Sequence, residues 1–243
     1  MDKKNTKIGT IISADIPQVA GLLPMLGFDF IFVDLEHGSV SDATITSLII
    51  AKQERCKILI RIPEITERAI KHALDLGCDG IIAPRVETIE ELNTLVDYCY
   101  YPPEGRRGIG LVLANKYGND MSYTDSFKPI ILPQVESTKG LEIANSIAAN
   151  EKVSGIFLGP YDLSMSLGVS GQFDTEIFRD AYKSVFDACR ANNKLFAIFT
   201  VDTNAALKQI AKGADMVTVG IDTSLFTNMY AGIIKQLKEC NEV

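Results

Sequence analysis

The chain has 243 residues, a formal net charge of −7, and a hydrophobic content of 47%. This length is close to the roughly 250 residues of one (β/α)8 barrel, although it would also accommodate two small domains. The negative charge argues against binding to a nucleic-acid backbone, which requires a basic face.

Short runs rich in Val, Ile and Phe alternate with helical patterns along the chain, as in repeated βαβ units. The predicted strands are, in chain order, residues 7–12, 28–33, 57–61, 79–83, 129–134, 153–158, 194–200 and 215–219. The clearest amphipathic helical patterns between them are residues 88–100, 139–149 and 175–192. The chain therefore predicts an α/β protein with eight strand–helix units.

The strands are apolar on both faces, which is typical of a parallel sheet covered by helices. Eight units in this length, without a glycine-rich phosphate loop after the first strand, favour a closed (β/α)8 barrel over an open doubly wound sheet. There is no linker or low-complexity tract, so we expect one domain over residues 1–243.

Two features of the connections bear on this architecture. Strands two, four and eight follow Gly-Xaa-Asp sequences at 27–29, 77–79 and 213–215, where a glycine suits the end of the preceding helix. The connection between strands four and five, residues 101–128, shows no regular pattern. Connections of that length usually serve as lids or binding loops.

The amino-terminal residues and the cysteines predict a cytoplasmic protein. The first ten residues are charged and polar, unlike a signal peptide, and no apolar run reaches the roughly 18 residues of a membrane helix. The five cysteines are scattered without a CxxC pair. They indicate reduced thiols rather than a disulfide framework or a zinc site. We expect no membrane or nucleic-acid partner.

Polar residues cluster at the carboxyl ends of the predicted strands, where (β/α)8 barrels build their active sites. Strand two ends in Asp34-Leu35-Glu36-His37-Gly38, strand three in Arg61, strand five in Gln134-Val135-Glu136, and strand six in Gly159-Pro160-Tyr161-Asp162. Because the barrel brings these ends to one mouth, their joint placement predicts an enzyme.

The residue types indicate metal-assisted chemistry on a 2-oxo acid. Glu136 and Asp162 are hard oxygen donors suited to Mg²⁺ or Mn²⁺. With two histidines in the chain, a His-rich zinc site is excluded. A 2-oxo acid can chelate such an ion, which, together with Arg61, would stabilise the enolate that forms when an aldol bond breaks. His37 is the candidate for proton transfer, with Asp34 or Glu36 holding its ring.

Other polar residues have simpler explanations. His72 lies within a helical pattern and is expected to be structural or to face solvent, and Asp222 is expected to cap a helix. The loops after strands seven and eight, residues 200–204 and 220–224, each place an aspartate where a phosphate group would bind. We therefore expect an unphosphorylated aldehyde as the aldol acceptor.

These residues resemble the motifs of the HpcH/HpaI aldolase family, the class II pyruvate aldolases that act on hydroxy-keto acids on a barrel of the phosphoenolpyruvate/pyruvate type. The resemblance runs from about Thr6 to Phe226. Its motifs are FDFIFVDLEHG (28–38), RIP (61–63), YPPEGRRGIG (101–110), PQVES (133–137), GPYDLSMSLG (159–168) and VGIDTSLF (219–226). It implies an aldehyde-lyase that cleaves a 4-hydroxy-2-oxo acid into pyruvate and an aldehyde.

The resemblance also implies roles for individual residues. His37 would be the acid–base residue, oriented by Asp34. Glu136 and Asp162 would hold the divalent metal, with Co²⁺ a further candidate beside Mg²⁺ and Mn²⁺. Arg61 and Gln134 would contact the substrate and polarise its keto oxygen. The backbone at Gly159, Pro160 and Tyr161 would receive the substrate carboxylate.

The resemblance further implies a homo-oligomer, commonly a hexamer built as a trimer of dimers. One departure concerns Leu113, where many relatives carry an arginine in a loop that helps to line the site or a neighbouring subunit's site. The pyruvate half of the substrate is therefore implied, and the identity of the acceptor aldehyde is left open.

Two other functions remain as alternatives. A CoA-thioester lyase of the citrate lyase or malyl-CoA lyase type shares the barrel and the metal carboxylates, but such enzymes usually carry an acidic residue where this chain has His37. A catalytically silent barrel would require a broken metal or acid–base set, and neither set is broken in this sequence.

Overall fold

A computed structural model describes residues 6–52 and 56–241. Within these ranges, eight parallel strands close into a barrel in the order β1 to β8, and β1 pairs with both β2 and β8. The strands are β1 (Lys7–Ile12), β2 (Phe30–Asp34), β3 (Lys57–Arg61), β4 (Gly80–Ala83), β5 (Ile130–Val135), β6 (Gly155–Leu158), β7 (Leu195–Thr200) and β8 (Met216–Ile221). The predicted (β/α)8 TIM-barrel fold is confirmed.

Helices connect the strands on the outside of the barrel. They are α1 (Pro17–Leu22), α2 (Asp42–Ala51), α3 (Glu67–Asp75), α4 (Ile89–Cys99), α5 (Tyr123–Ser126), α6 (Thr138–Glu142), α7 (Ala144–Ala149), α8 (Pro160–Ser166), α9 (Glu176–Ala191), α10 (Thr203–Ala211) and α11 (Asp222–Asn241). Two 3-10 helices are Leu23–Leu26 and Leu113–Gly118. The single helix predicted over residues 139–149 is divided into α6 and α7 at Ile143, whose ψ of 4° departs from helical geometry.

Two layers of apolar side chains explain why the strands are apolar on both faces. Side chains alternate along each strand, so one set points into the barrel and the next points towards the helices. The interior set is Ile11, Phe30, Phe32, Leu59, Ile82, Leu132, Phe157, Ala197 and Met216. The other set packs under the helices as a larger buried cluster. The strands therefore contribute apolar side chains to both layers, and the polar residues of the candidate site lie at the open carboxyl end of the barrel.

The Gly-Xaa-Asp sequences fix the amino-terminal end of the barrel. Their glycines, Gly27, Gly77 and Gly213, have φ values of 89°, 95° and 93° and end the preceding helices as predicted. The aspartates then accept hydrogen bonds from backbone N–H groups at the start of a neighbouring strand. Asp29 binds the N–H of Ile8 at 3.0 Å, Asp79 that of Ile58 at 2.8 Å, and Asp215 that of Phe196 at 2.9 Å.

The long connection of residues 101–128 lies at this same amino-terminal end, because it joins the end of α4 to the start of β5. Arg107 is fully buried within it and forms an ion pair with Asp75 at the end of α3, at 2.8 Å. The expectation of a lid is therefore wrong for the chain's own barrel, since the connection and its Leu113 lie at the opposite end from the mouth.

The last helix departs from the barrel wall. Residues 223–240 of α11 are all exposed, including a repeated series of large apolar side chains. Asp222, at its start, accepts hydrogen bonds from the backbone N–H groups of Ser13 and Ala14 at 3.1 and 3.0 Å. Among the described residues, no helix is both long and apolar enough to cross a membrane.

Candidate active site

A cavity of about 150 Å³ opens at the carboxyl end of the barrel. Its polar lining includes His37, Arg61, Gln134, Tyr161 and Asp162, together with the backbone around Gly159 and Pro160. Its apolar walls are Ile11, Phe32, Phe157, Phe199 and Ile221. The structure thus brings most of the predicted site residues to one small cavity. Asp34 and Glu136 do not line it but bind the lining residues Arg61 and Gln134.

Arg61 is held in a fixed position by two acidic residues. Asp34 and Arg61 are paired neighbours on β2 and β3. The guanidinium donates from Nε to Asp34 Oδ1 at 2.9 Å and from Nη2 to Oδ2 at 2.7 Å. The side chains of Arg61 and Asp34 are nearly buried, at 11% and 4% exposed. Burial alone would raise the pKa of Asp34, but the hydrogen bonds and the charge of Arg61 outweigh it and hold that pKa below its ordinary value.

The same Asp34 contacts His37 through its backbone. Asp34 Oδ1 accepts from the N–H groups of Glu36 and His37 at 3.0 and 3.2 Å. Glu36 is the carboxylate that lies beside the imidazole, with Oε2 at 3.7 Å from His37 Nε2 and 3.2 Å from Arg61 Nη1. The His37 side chain is 71% exposed at the rim of the cavity. Of the two acidic residues considered for orienting the ring, the geometry favours Glu36.

Glu136 is a buried carboxylate with two neighbours that position it. Its Oε1 accepts from the backbone N–H of Arg85 at 2.9 Å, and its Oε2 accepts from Gln134 Nε2. Burial, together with the nearby negative charges of Glu36 and Asp162, raises the pKa of Glu136 to about 7. A carboxyl group in such surroundings is stabilised either by a proton or by a cation.

Gly159 allows the backbone to approach this carboxylate closely. A Cβ atom at this position would lie 2.7 Å from Glu136 Oε2 and 2.8 Å from Gln134 Nε2. The N–H of Gly159 is already bonded to Val135 O, and Pro160 has none, so within the described residues Tyr161 offers the first free amide of this turn. Asp162 follows in the first turn of α8, with its side chain exposed to the cavity.

Within residues 6–52 and 56–241, no cluster of three or more His, Cys, Asp or Glu side chains is arranged to hold a metal ion. Glu136 and Asp162 at the ends of the adjacent strands β5 and β6 are a sparser set. The side-chain oxygen Oε1 of Gln134 is buried beside Glu136 without a hydrogen-bond partner among the described residues. Polar oxygens of this kind suit a hard cation that keeps several other ligands.

Sequence reasoning missed Arg85. Its contribution is a backbone N–H that reaches Glu136 because the residue has a φ of 42°, in the left-handed region. Any residue but proline has such an N–H group, so the residue type carries no signal. His72, as expected, lies outside the site and pairs with Asp42 on the surface at 3.0 Å.

The fold and the mouth together define a (β/α)8-barrel protein with an acidic, enzyme-like site at the carboxyl ends of its strands. The model of the HpcH/HpaI aldolase/citrate lyase family matches residues 7–229. This chain belongs to the HpcH/HpaI aldolase/citrate lyase family, as the sequence motifs predicted.

Relatives and solved structures match over nearly the full chain. A hydroxypyruvate/pyruvate aldolase from Roseobacter denitrificans is 32% identical, covering 98% of this chain and 95% of the relative. A 5-keto-4-deoxy-D-glucarate aldolase from Shigella dysenteriae is 34% identical, covering 92% and 89%. The crystal structure of an HpcH/HpaI aldolase/citrate lyase family protein from Burkholderia cenocepacia superposes with a TM-score of 0.91 at 26% identity, covering 98% and 96%.

Proposed function

We propose that this protein is a divalent-metal-dependent aldehyde-lyase that cleaves a 4-hydroxy-2-oxo acid into pyruvate and an aldehyde. The observation that carries the proposal is a small cavity lined by Asp162, the clamped Arg61 and the exposed imidazole of His37, with the buried carboxylate of Glu136 bound to the lining residue Gln134. Aldol chemistry needs these parts together: a cation, a donor for the developing oxyanion and a proton carrier.

The resident cation of this proposal is Mg²⁺ or Mn²⁺, with Co²⁺ a further candidate. Glu136 and Asp162 would hold it, because they crowd negative charge at the strand ends and because the buried Gln134 Oε1 beside them lacks a partner. When bound, the ion supplies Lewis-acid stabilisation of the charge that develops on the keto oxygen.

Arg61 and the turn at Gly159 position the 2-oxo acid. The double hydrogen bond to Asp34 fixes the guanidinium, so its remaining N–H groups donate to the keto oxygen without reorganisation as the enolate forms. Gln134 contacts the same part of the substrate. The free amide of Tyr161 and the adjoining backbone would receive the substrate carboxylate.

His37 carries the proton. It accepts the proton of the 4-hydroxyl group as the C3–C4 bond breaks, and the bonding electrons form the enolate of pyruvate. The aldehyde then leaves, and protonation of C3 gives the methyl group of pyruvate. The exposed position of the imidazole at the rim suits the departing, aldehyde half of the substrate.

A panel of 4-hydroxy-2-oxo acids tests this function, with pyruvate release coupled to a reporter reaction, with and without EDTA. We expect turnover that EDTA abolishes and added Mg²⁺ or Mn²⁺ restores. Full turnover in EDTA would overturn the metal-dependent mechanism. Cleavage of malyl-CoA or citryl-CoA without turnover of any 4-hydroxy-2-oxo acid would replace the aldolase with the CoA-thioester lyase.

We also propose that the protein is a homo-oligomer, a hexamer built from dimers, and α11 supports this assembly. Its exposed apolar side chains recur along the helix at Leu225, Phe226, Met229, Tyr230, Ile233, Ile234 and Leu237. Such a series is unstable in water unless another surface covers it. The helix follows Ile221 of β8 with no intervening loop, so it continues away from the barrel instead of turning back onto it.

The barrel carries a matching apolar surface. Leu22 on α1, Met25 and Leu26 in the adjoining 3-10 helix, and Leu207 on α10 are all more than half exposed. These elements flank β8 and β1, the part of the wall that α11 leaves uncovered. A second copy of the chain therefore supplies both a helix for this surface and a surface for this helix.

Cytoplasmic location is part of the same proposal. Cys56, Cys78, Cys99 and Cys189 are buried free thiols, and Cys240 is an exposed one. Free thiols persist in a reducing compartment.

A further inference from the structure

A second cavity, of about 490 Å³, lies beside the active-site cavity on the outer wall of the barrel. It is a groove between α9 and α10, with the outward-facing Ile198 and Thr200 of β7 as its floor. Its volume falls within the range of about 300–1,000 Å³ that holds small ligands. The active-site cavity is only about 150 Å³, and nothing in the proposed aldolase reaction uses the groove.

Aromatic rings line one wall of this groove and separate it from the active site. Tyr161 and Phe199 border both cavities, with ring centroids 6.1 Å apart. From Tyr161 the row continues to Phe173, at 5.1 Å, and from there to Phe178, also at 5.1 Å. The groove thus offers an apolar, ring-lined surface to a ligand and touches the reaction site only through shared side chains.

A hydrogen bond bridges the groove, and basic side chains also line it. Tyr182 of α9 donates a hydrogen bond to Gln209 of α10 at 2.8 Å, which bridges the two helices. Lys212 lies over the Tyr182 ring, 5.1 Å from its centroid. Arg179 and Lys208 line the groove, and no described carboxylate forms an ion pair with either.

Among the described residues that line the groove, the acidic ones are Asp174 and Asp202. Asp202 is engaged in capping α10, through a hydrogen bond from the N–H of Ala205 at 2.7 Å, and Asp174 lies in the loop before α9. The groove therefore combines an aromatic wall with cations that have no acidic partner among the described residues. A ligand with a flat apolar body and one anionic end matches this set of groups.

We infer that the groove between α9 and α10 is a binding site for an aromatic or bulky apolar monocarboxylate, distinct from the site of the aldol reaction. The carboxylate lies near Arg179, Lys208 and Lys212, and the apolar body lies against Phe173, Phe178 and Ile198. The basic side chains favour an anion by charge complementarity, and the ring-lined wall favours a flat apolar body.

The test is calorimetric titration of the purified oligomer with 1-naphthylacetate, beside 2-(1-naphthyl)ethylamine as a probe of the same shape and opposite charge. We expect saturable binding of the carboxylate and little binding of the amine. The double variant Arg179→Ala/Lys208→Ala should raise the Kd of the carboxylate about tenfold, since it removes two partly screened charges. Arg68→Ala/Lys183→Ala removes the same two residue types outside the groove and should leave the Kd unchanged.

Three results would overturn the inference. Equal binding of carboxylate and amine, or an equal Kd for the groove variant and its control, would show that the cations do not select the ligand. Competition by oxalate, a small mimic of the 2-oxo acid enolate, would place the probe in the active-site cavity. Absence of binding combined with a changed oligomer mass in the groove variant would identify the groove as a subunit interface. None of these results depends on aldolase activity.

Discussion

At the scale of single residues, the mouth of the barrel contains both hydrogen-bonded buried groups and exposed ones. Asp34 and Glu136 are buried and Arg61 is nearly buried, whereas His37 and Asp162 are exposed. In the proposed reaction, Arg61 would therefore bind the 2-oxo acid from a preorganised position. His37, which would carry the proton, lies beside Glu36 at the exposed rim of the cavity.

His37 provides the first prediction. The variant His37→Asn should lower kcat by a factor of about 10²–10⁴, the usual loss for a general acid–base residue. The KM for the 2-oxo acid should change much less, because Arg61 and the carboxylates are untouched. Steady-state kinetics measures both values. An unchanged kcat would assign the proton transfer to another group.

Asp34 and Glu36 provide a second prediction, in which two charge-removing variants are compared. Asp34→Asn removes the charge that Arg61 faces in a nearly buried ion pair, so it should lower the unfolding temperature and weaken substrate binding. Glu36→Gln removes the carboxylate beside the His37 ring and should lower kcat with little loss of stability. Thermal unfolding and kinetics of the two variants compare them directly. A lower kcat for Asp34→Asn alone, with stability intact, would return the orienting role to Asp34.

Glu136 should make the stability of the metal-free protein depend on pH. Its folded pKa, about 7, lies above its ordinary value of 4.5. The protonated form is therefore favoured in the fold. This contribution to stability is complete below pH 4.5 and is lost as the pH rises through 7. At about 1.4 kcal/mol per pH unit, the loss is roughly 3 kcal/mol.

Unfolding temperatures in EDTA between pH 4.5 and pH 8 measure this loss, with Glu136→Gln as the control. The glutamine variant should be inactive, yet in EDTA it should unfold at a higher temperature than the wild type at pH 8. Added Mg²⁺ should stabilise the wild type at pH 8 and not the variant. Parallel pH profiles for the two proteins would contradict the buried, charged state of Glu136.

At the scale of elements, the loops after β7 and β8 bear on the expected aldehyde acceptor, because an aspartate in each occupies backbone amides. Asp202 occupies the N–H of Ala205, and Asp222 occupies the N–H groups of Ser13 and Ala14. These amides would otherwise be available for a phosphate group. The sequence predicts that Asp222 caps a helix, and its carboxylate accepts from the N–H of Thr223 at the start of α11. The same carboxylate also joins the end of β8 to the end of β1.

We therefore expect an unphosphorylated aldehyde as the preferred acceptor of pyruvate. The specificity constants for glyceraldehyde and glyceraldehyde 3-phosphate measure the preference. A clearly higher specificity constant for the phosphorylated aldehyde would contradict this prediction. Arg107 would not explain such a result within one chain, since it is buried against Asp75 at the other end of the barrel.

The strands and the identity of the mouth residues follow from the sequence because each depends on local pattern. Six predicted strands start one or two residues early, at positions such as Asp79 and Asp215, since those side chains bind a neighbouring strand just before their own strand begins. The position of residues 101–128 follows from barrel topology, in which every helix-to-strand connection lies opposite the mouth. The contacts of Arg85 and Glu36 depend on backbone angles and distances that no residue pattern encodes.

At the scale of the whole molecule, the exposed α11 is the element on which the proposed assembly depends. Phe226→Asp combined with Ile233→Asp places charge within its apolar series. We expect the mass in solution to fall from a multiple of 26.6 kDa to that of one subunit. Light scattering measures the mass, and Lys235→Asp on the same helix serves as the control. A wild-type protein that is monomeric and fully active would contradict the proposed homo-oligomer.

The three aspartates at the amino-terminal end of the barrel have a consequence for how such a protein can acquire new substrates. Asp29, Asp79 and Asp215 hold neighbouring strands in alignment from the end farthest from the chemistry. Substitutions in the mouth loops leave these bonds intact. Evolution, or a laboratory library, can therefore vary the acceptor half of the cavity extensively while the inherited scaffold continues to fold.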